Sequence, residues 1–176
     1  LELRAADPQQ QAMLRTYLSE LELPRGARAL EIGCGTGAVS RTIVEVLDLD
    51  VTGVDPSPVF IARARELGKH LPRLSFVQGD GRSLDLADAT FDLVVFHTTL
   101  CHIPNAEAAL REAHRVLRPN GWLAVFEGDY MTTTVAISDF DPLQPLVSAM
   151  VANFLHDPWL TRRLPKTLRS LGFEVR

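Results

Sequence analysis

Cysteine is scarce here: the 176 residues hold two, Cys34 and Cys101, in no CxxC spacing. That count excludes a disulfide framework, and two thiols beside apolar segments are expected to be buried and free, as in a reducing compartment. Excess charge of one sign is lacking too. Eighteen Lys and Arg stand against 22 Asp and Glu, for a net charge of −4, whereas a nucleic-acid partner needs a clustered basic surface. The densest basic stretch, Arg162, Arg163, Lys166 and Arg169, is spaced like a solvated helix face. No apolar run approaches the length of a membrane span, and the start carries no signal-peptide pattern. A single cytoplasmic domain with neither a nucleic-acid nor a membrane partner is the expectation, with 46% hydrophobic and 23% charged residues.

What is present is an alternation. Short, near-continuous apolar runs at Arg28–Ile32, Val51–Val54, Leu74–Val77, Phe91–Phe96 and Trp122–Phe126 read as strands covered on both faces, the pattern of a parallel sheet. Between them lie helical patterns: Ala38–Leu47; Pro58–Leu67, with Ser57 as N-cap and proline at its first position; and Ala106–Leu117, with apolar residues at 106, 109, 110, 113, 116 and 117. An amphipathic helix, residues 8–21, precedes the first strand with Met13, Leu14, Tyr17, Leu18 and Leu21 inward. Strand–helix–strand alternation predicts an α/β, Rossmann-like, doubly wound and mostly parallel sheet with helices on both faces.

Residues 131–172 break the rhythm. An apolar helix at Leu146–Leu155 and further helical turns around Pro165 read as a cap over the carboxyl edge of the sheet, so that residues 22–130 form the core of one domain spanning 1–176. Gly172–Arg176 has the look of a strand just beginning. The open edge this would leave predicts further strands beyond residue 176.

Three of the eleven glycines, Gly33, Gly35 and Gly37, fall within five residues directly after the first strand. In an open parallel sheet that exit loop sits where ligands bind. A dinucleotide is one candidate, since Gly33-x-Gly35-x-x-Ala38 formally satisfies its fingerprint and Asp55 ends the second strand. Glu31, two residues before the first glycine, argues the other way, because a carboxylate opposes phosphates and favours a cation.

Glu31-x-Gly33-x-Gly35-x-Gly37 resembles the first motif of class I S-adenosylmethionine (SAM)-dependent methyltransferases, of the small-molecule type seen in ubiquinone and menaquinone biosynthesis. Gly53-Val54-Asp55, Phe76 to Gly81, Phe91 to Val95, and Leu117 to Leu123 resemble the later motifs in the right order. The resemblance covers roughly residues 25 to 130. It implies that Glu31 and the glycines admit the amino-acid tail of SAM, that Asp55 binds the ribose hydroxyls, that Asp80 and Gly81 read the adenine, and that S-adenosylhomocysteine is the product. A nicotinamide-dependent oxidoreductase and a SAM-binding domain without turnover are the alternatives.

The methyl acceptor is expected to be oxygen or nitrogen of a small organic molecule. Groups leaving the fourth and fifth strands are the candidates for its chemistry. His97 is the first choice as base and also borders the cofactor; Glu127 is the second. His102, Tyr130, Met150 and Phe154 are candidate walls of the substrate pocket. Adjacent Cys101 and His102 rarely aim at one ion, so no metal site is expected.

Overall fold

The computed structural model describes residues 1–135 and 142–176. Part of the expected cap, residues 136–141, lies outside the described residues. In chain order the elements are α1 (Glu2–Ala5), α2 (Pro8–Ser19), β1 (Arg28–Ile32), α3 (Ala38–Leu47), β2 (Asp50–Asp55), α4 (Pro58–Gly68), β3 (Leu74–Gln78), β4 (Phe91–His97), α5 (Ala106–Val116), β5 (Leu117–Phe126), α6 (Gln144–Phe154) and α7 (Leu160–Ser170). Single 3-10 turns occupy Leu100–His102 and Tyr130–Thr132. The five strands form one sheet in the order β3-β2-β1-β4-β5, every neighbouring pair parallel. The chain reverses its direction of travel between β1 and β4, so their exit loops open a crevice at the carboxyl edge.

Local chemistry explains the element starts. Asp7 accepts from the Gln9 and Gln10 amides ahead of Pro8, and Ser57 accepts from the Phe60 amide ahead of Pro58; both satisfy amides that a helix leaves unpaired. Strand β4 is buried from Phe91 through Phe96, as continuous hydrophobicity in a two-sided layer requires. On one face Leu14 and Leu18 of α2 and Ile43 of α3 pack on Ala29, Val51, Leu93 and Val95, while Ile61 and Ala64 of α4 meet Phe76. On the other face Ala109, Leu110, Ala113 and Val116 of α5 cover Leu30, Ile32, Val94 and Phe96.

Two expectations are corrected. Helix α7 is not part of a cap: Leu160, Leu164 and Leu168 pack into the same cluster as α5. Leucines four residues apart make one apolar stripe, and the sheet face beside α5 offers it more burial than the carboxyl edge does. Gly172–Arg176 forms no strand. There Phe173 packs into the α5 cluster and edge-on against His114, while the Arg176 guanidinium lies over the Trp122 ring.

The passage from β3 to β4, residues 79–90, contains no helix. Its backbone is held by α5 instead: Glu112 accepts from the Leu84 amide at 2.7 Å, and Arg115 donates to the Leu84 and Leu86 carbonyls at 3.0 and 2.7 Å. An ion pair on one helix thus replaces a missing crossover layer.

Asp92 ties three strands together at the opposite edge. Its carboxylate accepts from the Arg28 amide at 2.9 Å and from Arg118 at 2.7 and 2.9 Å, across the register shift between β4 and β5. Burial pushes its carboxyl up, but these bonds outweigh that and hold it below the ordinary range. Asp92→Ala is expected to lose about 1–3 kcal/mol in urea denaturation at pH 7. Because the folded pKa is depressed, that contribution is present above pH ~4 and disappears as pH falls below it, so the gap between variant and parent closes towards pH 3.

Candidate functional site

The site grows from the exits of β1 and β2. The Gly33 and Cys34 amides both donate to the Val54 carbonyl, at 2.8 and 3.0 Å, which folds the glycine loop back onto the end of β2. The Gly35 amide then donates to Asp55 Oδ2 at 2.9 Å, while Asp55 Oδ1 accepts from the Ser57 amide at 2.8 Å. One buried carboxylate therefore pins the first loop and starts the second. Gly33, Gly35 and Gly37 all have positive φ, at 77°, 53° and 76°, a backbone that side chains resist. Space is short as well: a Cβ on Gly33 would lie 2.1 Å from Thr99 Cγ2, and one on Gly37 would lie 2.3 Å from Phe76 Cζ. Close approach at those two glycines is made by the protein itself. A Cβ on Gly35 would meet Leu1 Cδ1 first, at 3.0 Å.

A cavity of about 120 Å³ opens over this loop, lined among others by Glu31, Gly33, Gly35, His97 and Thr99. Four of the sequence-derived site residues thus share one space. Gly37 turns toward Phe76 and heads α3 without a side-chain cap. Asp80, after β3, is paired with Arg82 at 2.6 Å, which holds its carboxyl below the ordinary range. Gly81 sits where a Cβ would strike Ile32 Cγ2 at 2.4 Å.

Glu31 is 2% exposed and accepts a short hydrogen bond from the Ser40 hydroxyl. Burial pushes its carboxyl up to about 8, with the Asp55 charge adding to the effect and Ser40 opposing it. Around neutral pH the group therefore holds its proton, so repulsion of phosphate by a fixed charge is weaker than the sequence suggested. A cation in the cavity would draw that proton off.

His97 leaves β4 stacked on Phe126, ring centroids 4.8 Å apart, with Nδ1 3.0 Å from the Tyr17 hydroxyl. Burial, with a smaller push from the Arg4 charge, lowers its pKa to about 4, so the ring is neutral across the physiological range. Burial also raises the Tyr17 phenol well above its usual value. If Tyr17 donates to Nδ1, Nε2 carries the ring hydrogen; if Nδ1–H donates to the phenol, Nε2 is free to take a proton. Only the second tautomer is a base at Nε2. Sequence reasoning treated Tyr17 as packing on an inward helix face, and nothing in its spacing signals a partner 80 residues away.

Glu127 reaches across from β5 to the turn after β4. It accepts from the Cys101 amide at 3.2 Å, the Cys101 thiol at 3.4 Å and the Gly128 amide at 3.1 Å. Burial, reinforced by Glu127, pushes the Cys101 thiol up to about 12, and Tyr130, hydrogen-bonded to Cys101, is likewise raised by burial to about 12. His102 Nδ1 lies 3.1 Å from the Phe154 carbonyl. It fastens the end of α6. Met150 and Phe154 are 47% and 72% exposed and lie outside the cavity over the glycine loop. Among the described residues no group of three His, Cys, Asp or Glu side chains is placed to hold a metal ion.

A parallel sheet of this order, with a glycine loop at its first exit pinned by an acid at its second, defines the Rossmann-like class of nucleoside-cofactor domains. The methyltransferase domain family matches residues 30–125, more than half of the sequence and inclusive of all five motifs, and the chain belongs to that family. It is 35% identical over 129 residues to a sterol 24-C-methyltransferase of Aspergillus fumigatus, covering 69% of this chain and 34% of that protein. It is 33% identical over 116 residues to 2-phytyl-1,4-naphtoquinone methyltransferase of Thermosynechococcus vestitus, covering 65% and 52%. Among solved structures, the [4+2]-cyclase SpnF superposes with a TM-score of 0.73 at 27% identity, covering 98% of this chain and 62% of that one. The chain spans about half or less of the length of the curated relatives it matches.

The raised Glu31 carboxyl yields a stability prediction. A folded pKa above the unfolded one contributes stability that is complete below pH ~4.5 and lost as pH rises toward 8. Glu31→Gln, which keeps an acceptor for Ser40, is expected to exceed the parent in stability by about 3 kcal/mol at pH 8.5, with the difference shrinking toward pH 5. Melting curves of both proteins across that range provide the check.

Proposed function

We propose that this chain carries out SAM-dependent methyl transfer to a small organic molecule, with oxygen or nitrogen as acceptor. Glu31, Gly33, Gly35, Gly37, Asp55, Asp80 and Gly81 hold the cofactor in this reading. The observation that carries it is the double use of Asp55. Each oxygen accepts one backbone amide, which leaves each a further lone pair for a ribose hydroxyl beside a loop whose cavity suits a short amino-acid tail. The family membership supports the same reading.

Bound SAM would supply an electrophilic methyl group on a sulfonium. The task left to the residues is to hold an acceptor in line and remove its proton. His97, neutral and at the exit of β4, is the first candidate base, and its Nε2 serves when the hydrogen sits on Nδ1 facing Tyr17. Glu127 is the second, although its bonds to Cys101 and Gly128 also suit a residue that positions the turn. His102, Tyr130, Met150 and Phe154 are the proposed walls for the acceptor. A cytoplasmic location is part of the reading, supported by two buried cysteines that remain free; no described helix is long and apolar enough to cross a membrane.

A carbon acceptor is a second reading, favoured by the relatives named as sterol 24-C-methyltransferases. A third, binding without methyl transfer, is favoured by the likeness to SpnF, which is named a cyclase.

Calorimetric titration tests the cofactor. S-adenosylhomocysteine is expected to bind in the micromolar range and NAD not at all, with Asp55→Ala weakening the former at least about tenfold through loss of two charge-assisted bonds. Preference for NAD would overturn the reading. Affinity should also climb with pH from 6 to 8, by at most about tenfold per unit, because a cation beside Glu31 binds best once its proton has gone. Glu31→Gln should flatten that slope. Methyl-labelled SAM offered with alcohols, amines and carbon acceptors then separates the readings: label in an ether or amine supports the first, label on carbon the second, and binding without label the third.

A further inference from the structure

Helix α1 lies across the glycine loop, and four contacts hold it there. Glu2 accepts from Arg41 Nη2 at 2.7 Å and from the Thr36 hydroxyl at 2.5 Å. The Ala5 carbonyl accepts from Gln11 Nε2 at 2.5 Å, and the Leu1 side chain rests against Gly35. So fastened, α1 brings Arg4 to the wall of the cavity that Glu31, Gly33, Gly35 and His97 also line.

Arg4 differs from the other charged groups nearby. Arg41 has Glu2 as its partner, whereas no described carboxylate lies within ion-pairing distance of Arg4, and its charge acts on His97 and Tyr130 instead. A second cavity group is also unused. Gln10 Oε1 is buried and accepts no hydrogen bond from any described residue, an arrangement that costs free energy unless a ligand supplies a donor. The cavity is thus lined by a cation, Arg4, and by two residues that carry acceptor oxygens, Gln10 and the ionisable Glu31. A short zwitterion, one carboxylate and one ammonium on the same carbon, satisfies all three.

We propose that Arg4 binds the carboxylate of the cofactor's amino-acid tail, with Gln10 and Glu31 receiving its ammonium, so that α1 is a part of the cofactor site and Glu2 is the residue that positions it. The inference rests on SAM being the cofactor. It gives the chain a means of selecting an intact amino-acid tail over a nucleoside thioether or a decarboxylated sulfonium.

The test compares two ligands that differ only in that carboxylate, SAM and decarboxylated SAM, titrated against the full chain. The parent is expected to prefer SAM by about tenfold or more, the contribution of a charge-assisted hydrogen bond. Arg4→Ala should bring the two affinities within about twofold by weakening SAM alone, and Arg4→Gln should do the same should the alanine variant fold poorly. Glu2→Ala, which frees α1 from Thr36 and Arg41, should reduce the preference partway. A preference that survives in Arg4→Ala and Arg4→Gln, or is missing from the parent, overturns the proposal. Failure of the parent to bind either ligand overturns the cofactor reading and the proposal with it, and is distinguishable because no variant is needed to see it.

Discussion

The Asp55 carboxylate is the constraint on which the site depends. It joins the exit of β1 to the exit of β2 by accepting from Gly35 and Ser57 at once, and the Val54 carbonyl beside it takes the Gly33 and Cys34 amides. Neither strand alone could hold a loop with three left-handed glycines, since each such residue gives up more backbone freedom than any other on folding. Parallel pairing of β1 with β2 brings the acid to the loop, and the loop in turn sets the floor of the cavity.

Burial rather than charge sets the electrostatics above that floor. Glu31, Tyr17 and His97 are each pushed toward their neutral forms, and in each case loss of water is the leading cause. A site of neutral but ionisable groups suits a cationic ligand, because the incoming charge reorganises protons that are already present. Arg4 is the exception, a permanent charge at the rim.

Much of this was legible in the residues. The run Arg28–Ile32 is the observed first strand residue for residue, because a short, mostly apolar run ended by glycine has few other solutions in a two-sided sheet. The helices at Ala38, Pro58 and Ala106 begin where their patterns and caps predict. The misreadings share one cause. Gly172–Arg176 alternates like a strand, yet Phe173 finds its burial beside α5, and periodicity cannot say which surface will cover a side chain. Spacing is equally silent on whether an apolar helical stripe is enclosed or exposed, as Met150 and Phe154 of α6 are.

The amino-acid order by itself determined the strand–helix alternation, the parallel sheet it implies and the motif residues at the strand ends, because these follow from local periodicity and from what glycine, proline and short polar side chains do to a backbone. Only the tertiary structure decided which groups meet: Tyr17 with His97, Glu127 with Cys101, Arg115 with the β3–β4 passage, and α1 with the glycine loop. Those contacts join residues 26 to 80 positions apart. Their geometry is set by packing of whole layers, for which no local pattern carries a code.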